Sequence, residues 1–232
     1  MTQRFEFLSR DGGACNAALA IPEGIEKTGA IIVVHEWYGL NDDLKRIAAR
    51  FADEGFLALA VDLFDGQVAT NDQDAMKLAT EMKTLHAVEI IAGAATALRQ
   101  LARANGHVAV TGFCLGGGMS LAAACLVSGI DAAVPFYGTP RDEYVDWTKL
   151  RVPVLAHFGA HDPMIPTARP QSIASTVNGA GGSFELHLYD AGHAFMREAD
   201  PHAFHAESAA LAWSRTTEFL HRMLASDQPD ES

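Results

Sequence analysis

The stretch Gly112-Phe113-Cys114-Leu115-Gly116-Gly117 places one cysteine between glycines at a predicted change from strand to helix. The preceding residues 107–111 (HVAVT) are short and rich in β-branched side chains, as expected for a buried parallel strand. The following residues 119–124 (MSLAAA) are rich in helix formers. A strand that turns directly into a helix strains its central residue, and flanking glycines prevent neighbouring backbone from colliding. We therefore predict that the Cys114 side chain is held at the carboxyl end of the sheet.

A small-x-nucleophile-x-small turn indicates the nucleophile elbow of the α/β-hydrolase fold, with cysteine where serine is usual. The helix that begins there directs backbone N–H groups at a developing anion. Two other interpretations remain open. A free cysteine is often a small buried hydrophobe, which suits Cys15 and Cys125. A glycine-rich turn can also bind phosphate, but no Lys-Ser/Thr pair follows, which disfavours a P-loop.

Length, composition and charge restrict the class of protein. The 232 residues suit one large domain or two small ones, and 49% hydrophobic with 20% charged residues is ordinary for a globular enzyme. A formal net charge of −12 disfavours nucleic acid and anionic membranes as partners. Because this overall field also repels an anionic substrate, such a substrate would need specific arginines.

The sequence indicates neither a membrane span nor an export signal. Apolar runs stay well short of the roughly 20 residues of a span, and the N-terminus lacks the basic, apolar and small-residue regions of a signal peptide. The three cysteines lack the spacing of a disulfide framework. We therefore expect free thiols and a cytoplasmic location.

Strands and helices are predicted to alternate along the chain. Asp11-Gly12-Gly13 indicates a hairpin between residues 5–7 and 15–21. The further predicted strands are 30–34, 57–61, 107–112, 132–137, 154–158 and 184–189, and the predicted helices are 42–54, 72–83, 87–104 and 201–224. This order predicts an α/β fold, with a mostly parallel sheet covered by helices on both faces. We expect a single domain over residues 1–224 and a disordered tail over residues 225–232.

Two further motifs follow predicted strands. His157-Phe158-Gly159-Ala160-His161-Asp162-Pro163-Met164-Ile165-Pro166 presents Asp162 just after a strand, although an Asx-turn or helix cap would also explain an aspartate there. Tyr189-Asp190-Ala191-Gly192-His193-Ala194-Phe195 presents His193 after the last strand. The chain order Cys114, Asp162, His193 is the nucleophile, acid, histidine order of this fold. We predict that these three residues form a catalytic triad.

Each predicted site residue has a chemical role. His193 would keep the Cys114 thiol ionised, and Asp162 would fix the imidazole tautomer. The oxyanion needs two donors, for which we predict the backbone N–H groups of Leu115 and Trp37. Glu36 is either a solvated loop carboxylate or a partner of the thiol that lowers its reactivity until substrate binds.

The motifs Gly-x-Cys-x-Gly-Gly, His-Glu-x-x-Gly-Leu-Asn, Gly-x-x-Asp-x-x-Ile-Pro and Ala-Gly-His-x-Phe together resemble those of the dienelactone hydrolase (carboxymethylenebutenolidase) family. The resemblance covers nearly the whole chain. It implies a monomeric, cofactor-free hydrolase that opens an unsaturated lactone bearing a carboxylate, in the degradation of aromatic compounds. It also implies that the residue at Glu36 pairs with the thiol until substrate binds.

The resemblance implies two arginines for the substrate carboxylate, and only one is present. Arg197, four residues after His193, matches the first. Residues 72–78 (DQDAMKL) contain no arginine where the second is expected, and only Lys77 could replace it, as a point charge. Tyr38 and Phe195 are predicted to line the substrate pocket. A small ester or lactone, with or without a carboxylate, is therefore the expected substrate.

The other histidines do not have the spacing of a metal site. The pairs His157/His161 and His202/His205 lack a third ligand at metal-binding spacing, so no metal is expected. A broader carboxylesterase or thioesterase is the alternative enzyme. A redox-responsive thiol protein is the alternative of another class, but such a switch would not need both Asp162 and His193.

Overall fold

The computed structural model describes residues 1–226, in which eight strands form one sheet in the order β1-β2-β4-β3-β5-β6-β7-β8. β1 pairs antiparallel with β2, and β2 with β4, whereas the other neighbours are parallel. The strands are β1 (Thr2–Leu8), β2 (Ala14–Ala20), β3 (Thr28–Val34), β4 (Leu57–Val61), β5 (Ala104–Phe113), β6 (Ala132–Phe136), β7 (Val154–Gly159) and β8 (Phe184–Tyr189).

Helices cover both faces of the sheet, as predicted. They are α1 (Asp42–Asp53), α2 (Asp72–Glu81), α3 (Thr84–Arg99), α4 (Leu115–Leu126), α5 (Ala168–Gly179) and α6 (Ala206–Met223). Two short 3₁₀ turns cover Asp142–Tyr144 and Trp147–Lys149. Side chains of β3 alternate between two apolar cores: Ile32 belongs to the core that includes residues of α3, α4 and α5, whereas Ile31 and Val33 belong to the core that includes residues of α1 and α6. This alternation explains why the strand is apolar throughout.

The predicted element types are confirmed, but several boundaries and one helix differ. The helix predicted over 87–104 ends at Arg99, because a turn follows and β5 already begins at Ala104. The helix predicted from 201 begins at Ala206, where the His205 ring accepts a hydrogen bond from the Ser208 N–H. Helix α5 was not predicted, because only three of its residues are buried and it contains proline and glycine.

The C-terminal end of the described chain packs against the sheet. Asn105 Nδ2 donates to the Leu224 carbonyl at 2.8 Å and to Ser226 Oγ at 3.3 Å. Most of the tail predicted to be disordered, residues 227–232, lies outside the described residues. Across residues 1–226, every helix is too short or too polar to span a bilayer.

Candidate active site

The turn at Cys114 has the strained geometry predicted from its glycines. Cys114 has φ 52° and ψ −112°, a left-handed conformation that is costly for a non-glycine residue. A Cβ atom at Gly112 would lie 2.2 Å from the Gly116 carbonyl oxygen, and one at Gly138 would lie 1.9 Å from the Cys114 carbonyl oxygen. The Cys114 N–H donates to the Phe136 carbonyl of β6 at 3.0 Å. Close backbone packing therefore holds the thiol at the end of β5.

The structure brings the three predicted triad side chains together. Cys114 Sγ lies 3.1 Å from His193 Nε2, and His193 Nδ1 lies 2.7 Å from Asp162 Oδ2. Asp162 Oδ1 accepts hydrogen bonds from the Met164 and Ile165 N–H groups at 2.8 and 3.1 Å. The Asx-turn considered for Asp162 is therefore also present, since one oxygen closes the turn and the other faces the imidazole.

Electrostatics favour the protonated imidazole in this row of side chains. Burial opposes a charge on His193, but the hydrogen bonds to Asp162 and Cys114 outweigh burial and raise its pKa to about 9. Burial would likewise raise the pKa of Asp162, but the hydrogen bonds from His193 and from two backbone N–H groups hold it below its ordinary value. The site can therefore hold a carboxylate beside an imidazolium.

Backbone strain concentrates around the thiol. Among the described residues, four non-glycine residues have φ in the left-handed region: Asp65, Cys114, Tyr137 and Ala194. Tyr137 follows β6 and Ala194 follows His193, so three of the four border the same site. Such strain persists only where the surrounding structure enforces it, and it is frequent at active sites.

The predicted contact between Glu36 and the thiol is not formed in this structure. Glu36 Oε2 instead accepts from Arg197 Nε at 2.7 Å, and Oε1 accepts from the Tyr137 hydroxyl at 3.3 Å. The thiol faces His193. A guanidinium is a stronger, charge-assisted partner for a carboxylate than a thiol is, which explains the difference.

The residues predicted to bind substrate have different surroundings. Arg197 and Tyr38 line a cavity of about 310 Å³, with the guanidinium 5.2 Å from the centre of the Tyr38 ring. Phe195 is fully buried against Tyr137 and a second tyrosine, so its side chain lies in the core and not on the wall of this cavity. Lys77 is exposed on α2.

The two predicted oxyanion donors lie in neighbouring segments. Leu115 is the first residue of α4, where a backbone N–H has no partner within the helix. Trp37 lies in the loop after β3. A Cβ at Gly116 would lie 2.3 Å from the Val34 carbonyl and 2.6 Å from the His35 carbonyl, so the start of α4 packs directly on the end of β3.

Sequence reasoning missed two residues beside the site. Tyr137 is fully buried next to Glu36, and burial, then the charge of Glu36, raises the pKa of its hydroxyl well above the ordinary value. His35 is fully buried at the end of β3. The available signal was that each polar side chain directly follows a buried, apolar strand, β3 for His35 and β6 for Tyr137.

The other two cysteines and His157 have surroundings that suit a structural role. Cys15 is buried in β2, and burial raises the pKa of the Cys125 thiol in α4 to about 12. His157 is buried between the Tyr189 hydroxyl and Thr216 Oγ1. Within residues 1–226, His, Cys, Asp and Glu side chains form no group of three suited to a metal ion.

Comparison with known proteins agrees with this fold. The model of the dienelactone hydrolase family matches residues 15–224. Protein usf of Aquifex pyrophilus is 34% identical over 203 residues, which are 84% of this chain and 88% of that protein. The carboxymethylenebutenolidase of Pseudomonas putida is 28% identical over 231 residues, covering 95% and 96% of the two chains. A dienelactone hydrolase-like promiscuous phosphotriesterase from metagenomic libraries superposes with a TM-score of 0.84 at 22% identity, covering 97% of this chain and 99% of that one.

The mostly parallel sheet with its strand–turn–helix elbow has the fold of the α/β hydrolases. Within that class, the chain belongs to the dienelactone hydrolase family. It is therefore a hydrolase of carboxylic esters or lactones.

Proposed function

We propose that this protein hydrolyses an ester or lactone through a thioester on Cys114. The observation that carries the proposal is the continuous row Cys114 Sγ, His193 and Asp162, with contacts of 3.1 and 2.7 Å. An imidazolium in that row donates one N–H to the carboxylate and the other to the sulfur, which is the arrangement that stabilises a nucleophilic thiolate.

In the acylation step, the Cys114 thiolate forms a bond to the carbonyl carbon and the carbonyl electron pair moves to oxygen. The N–H groups of Leu115 and Trp37 stabilise this oxyanion. When the tetrahedral intermediate collapses, the C–O bond breaks and His193 gives its proton to the leaving oxygen. In a lactone, the resulting alcohol remains attached to the acyl group.

In the deacylation step, neutral His193 takes a proton from water. The hydroxide attacks the thioester carbon, the C–S bond breaks, and the acid leaves as the thiolate and the imidazolium are restored. Asp162 remains a carboxylate throughout and stabilises the imidazolium.

We propose Arg197 as the contact for a substrate carboxylate. Its charge is already balanced by Glu36 at 2.7 Å and Asp200 at 3.6 Å. A carboxylate substrate would therefore have to replace Glu36, whereas a neutral ester would not. This balance favours, as the second candidate, a broader carboxylesterase that accepts neutral acyl groups.

A panel of lactones and esters, with and without a carboxylate, tests both candidates by kcat/KM. We expect Cys114→Ala to abolish turnover and Cys125→Ala, a matched thiol variant in α4, to retain it. Acyl-enzyme trapped by rapid acid quench should carry the acyl mass on Cys114. Undiminished turnover by Cys114→Ala would refute the proposed mechanism.

A further inference from the structure

His35 is a fully buried histidine that joins two loops at the carboxyl edge of the sheet. Its Nδ1 lies 2.5 Å from the carbonyl oxygen of Glu36. Its Nε2 lies 3.0 Å from the backbone nitrogen of Leu63, just after β4. The ring also packs against Phe64, with centroids 4.6 Å apart. None of these contacts has a part in the mechanism above.

The partners of His35 fix its tautomer. A carbonyl oxygen only accepts, so Nδ1 must carry the hydrogen. The Leu63 N–H only donates, so Nε2 must present its lone pair. Full burial disfavours a charged ring and lowers the pKa of His35. The neutral His35 ring therefore links the two loops, with Nδ1–H as its one donor and Nε2 as its one acceptor.

The bond to the Glu36 carbonyl also sets the direction of the next N–H. In a trans peptide the C=O and the following N–H point in opposite directions. The Glu36 carbonyl is held toward the His35 ring, which lies on the β4 side of β3 through its bond to Leu63. Because β3 lies between β4 and β5, the Trp37 N–H is directed toward the β5 side, where Cys114 lies.

We propose that His35 is a positioning residue, which aims the Trp37 N–H at the substrate oxyanion by holding the Glu36–Trp37 peptide in one orientation. The inference rests on the proposed function, since it needs acyl transfer at Cys114. A second donor, the Gly39 N–H, reaches the Glu36 carbonyl at the longer distance of 3.4 Å. Loss of the His35 side chain is therefore expected to make the orientation of the Glu36–Trp37 peptide less fixed, while the Gly39 N–H still partly holds it.

Two substitutions separate the orienting bond from general packing. His35→Leu fills similar volume but removes both hydrogen bonds. His35→Asn retains a donor close to the position of Nδ1 and loses the bond to Leu63. Rapid mixing with p-nitrophenyl acetate measures acylation of Cys114, and iodoacetamide measures thiol reactivity, which needs no oxyanion donor.

We expect His35→Leu to slow acylation by about tenfold to a hundredfold, with alkylation changed less than about twofold. His35→Asn should recover most of the lost acylation rate. In His35→Leu, inhibition by a trifluoromethyl ketone, whose thiol adduct carries an oxyanion, should weaken in parallel with acylation.

Three results would overturn the positioning role. These are unchanged acylation in His35→Leu, equal losses of acylation and alkylation, and an Asn variant as slow as the Leu variant although the ketone still binds both normally. The failure of the proposed function would look different, because Cys114→Ala would then retain turnover whatever stands at position 35.

Discussion

Arg197 Nε lies 2.7 Å from Glu36 Oε2, so the arginine expected to bind a substrate carboxylate already holds a carboxylate of the protein. Both side chains are largely buried, with 18% and 14% of their surface exposed. The pair is therefore only weakly screened by solvent. An entering anion competes with Glu36 for the same guanidinium. The free energy of substrate binding therefore depends on the charge of the substrate.

This competition predicts the effect of removing the Glu36 charge. Glu36→Gln should lower KM for a carboxylate-bearing lactone or ester several-fold, because Arg197 is then free to pair with the substrate. KM for a neutral ester of similar size should change little. Asp200→Asn is the matched control, since that carboxylate lies 3.6 Å from Arg197. Equal changes of KM for charged and neutral substrates would contradict the competition.

The reverse change should act in the opposite direction. Arg197→Gln removes the cation but keeps a hydrogen-bond donor, and we expect KM for carboxylate substrates to rise about tenfold or more, with neutral esters affected less. Steady-state kinetics on paired substrates measures the difference. If neutral esters lose as much, Arg197 acts on the structure of the site and not on the substrate carboxylate.

Glu36 and the thiol can be tested independently of substrate. Since His193 is the partner of Cys114 in the structure, we expect Glu36→Gln to leave the pH profile of Cys114 alkylation in place. Iodoacetamide rates between pH 5 and pH 10 provide the measurement. A shifted profile would mean that the carboxylate does reach the thiol, as the resemblance to the family implies.

The raised pKa of His193 makes part of the stability depend on pH. Its folded value of about 9 lies above the ordinary value of 6.5. The contribution of the imidazolium is therefore complete below about pH 6.5 and is lost as pH rises through 9. The difference in unfolding free energy between wild type and His193→Gln should shrink by about 3 kcal/mol between pH 6 and pH 10. Urea unfolding of both proteins at each pH measures it, and a constant difference would argue against the raised pKa.

The turn at Cys114 should not tolerate an added methyl group at Gly138. Gly138→Ala would place Cβ 1.9 Å from the Cys114 carbonyl oxygen and 2.7 Å from the Gly118 nitrogen. We expect a loss of about 2 kcal/mol or more in unfolding free energy, together with slower alkylation of Cys114. Gly179→Ala is the control, because a Cβ there meets no atom within 4 Å. Similar losses in both variants would show that close packing at Gly138 is not the cause.

Sequence patterns were sufficient to predict the sheet and the proximity of Cys114, Asp162 and His193. Cys114 and Asp162 follow buried, largely apolar strands, His193 follows the mixed strand β8, and parallel strands bring their carboxyl ends to one edge. The identity of each side chain's partner was harder to predict. Glu36 could pair with a thiol or with a guanidinium 161 residues away. Which pair forms depends on side-chain directions that no local pattern encodes. Phe195 shares a motif with His193, yet its side chain turns into the core.

Helix α5 is a second feature that sequence patterns do not predict. Its buried residues Pro170, Ile173 and Val177 form a narrow stripe among polar and helix-disfavouring neighbours. Packing on the sheet, which local preference does not reveal, compensates for that composition.

The double use of Asp162 has a practical consequence for capturing this protein with its substrate. Replacing the aspartate would remove both its hydrogen bond to the imidazole and the backbone hydrogen bonds by which its other oxygen closes the loop. Any complex obtained with such a variant would therefore have a disturbed pocket. Removing the Cys114 sulfur alone leaves the hydrogen bonds of that loop intact. Cys114→Ala is accordingly the better choice for soaking or co-crystallisation with an intact ester.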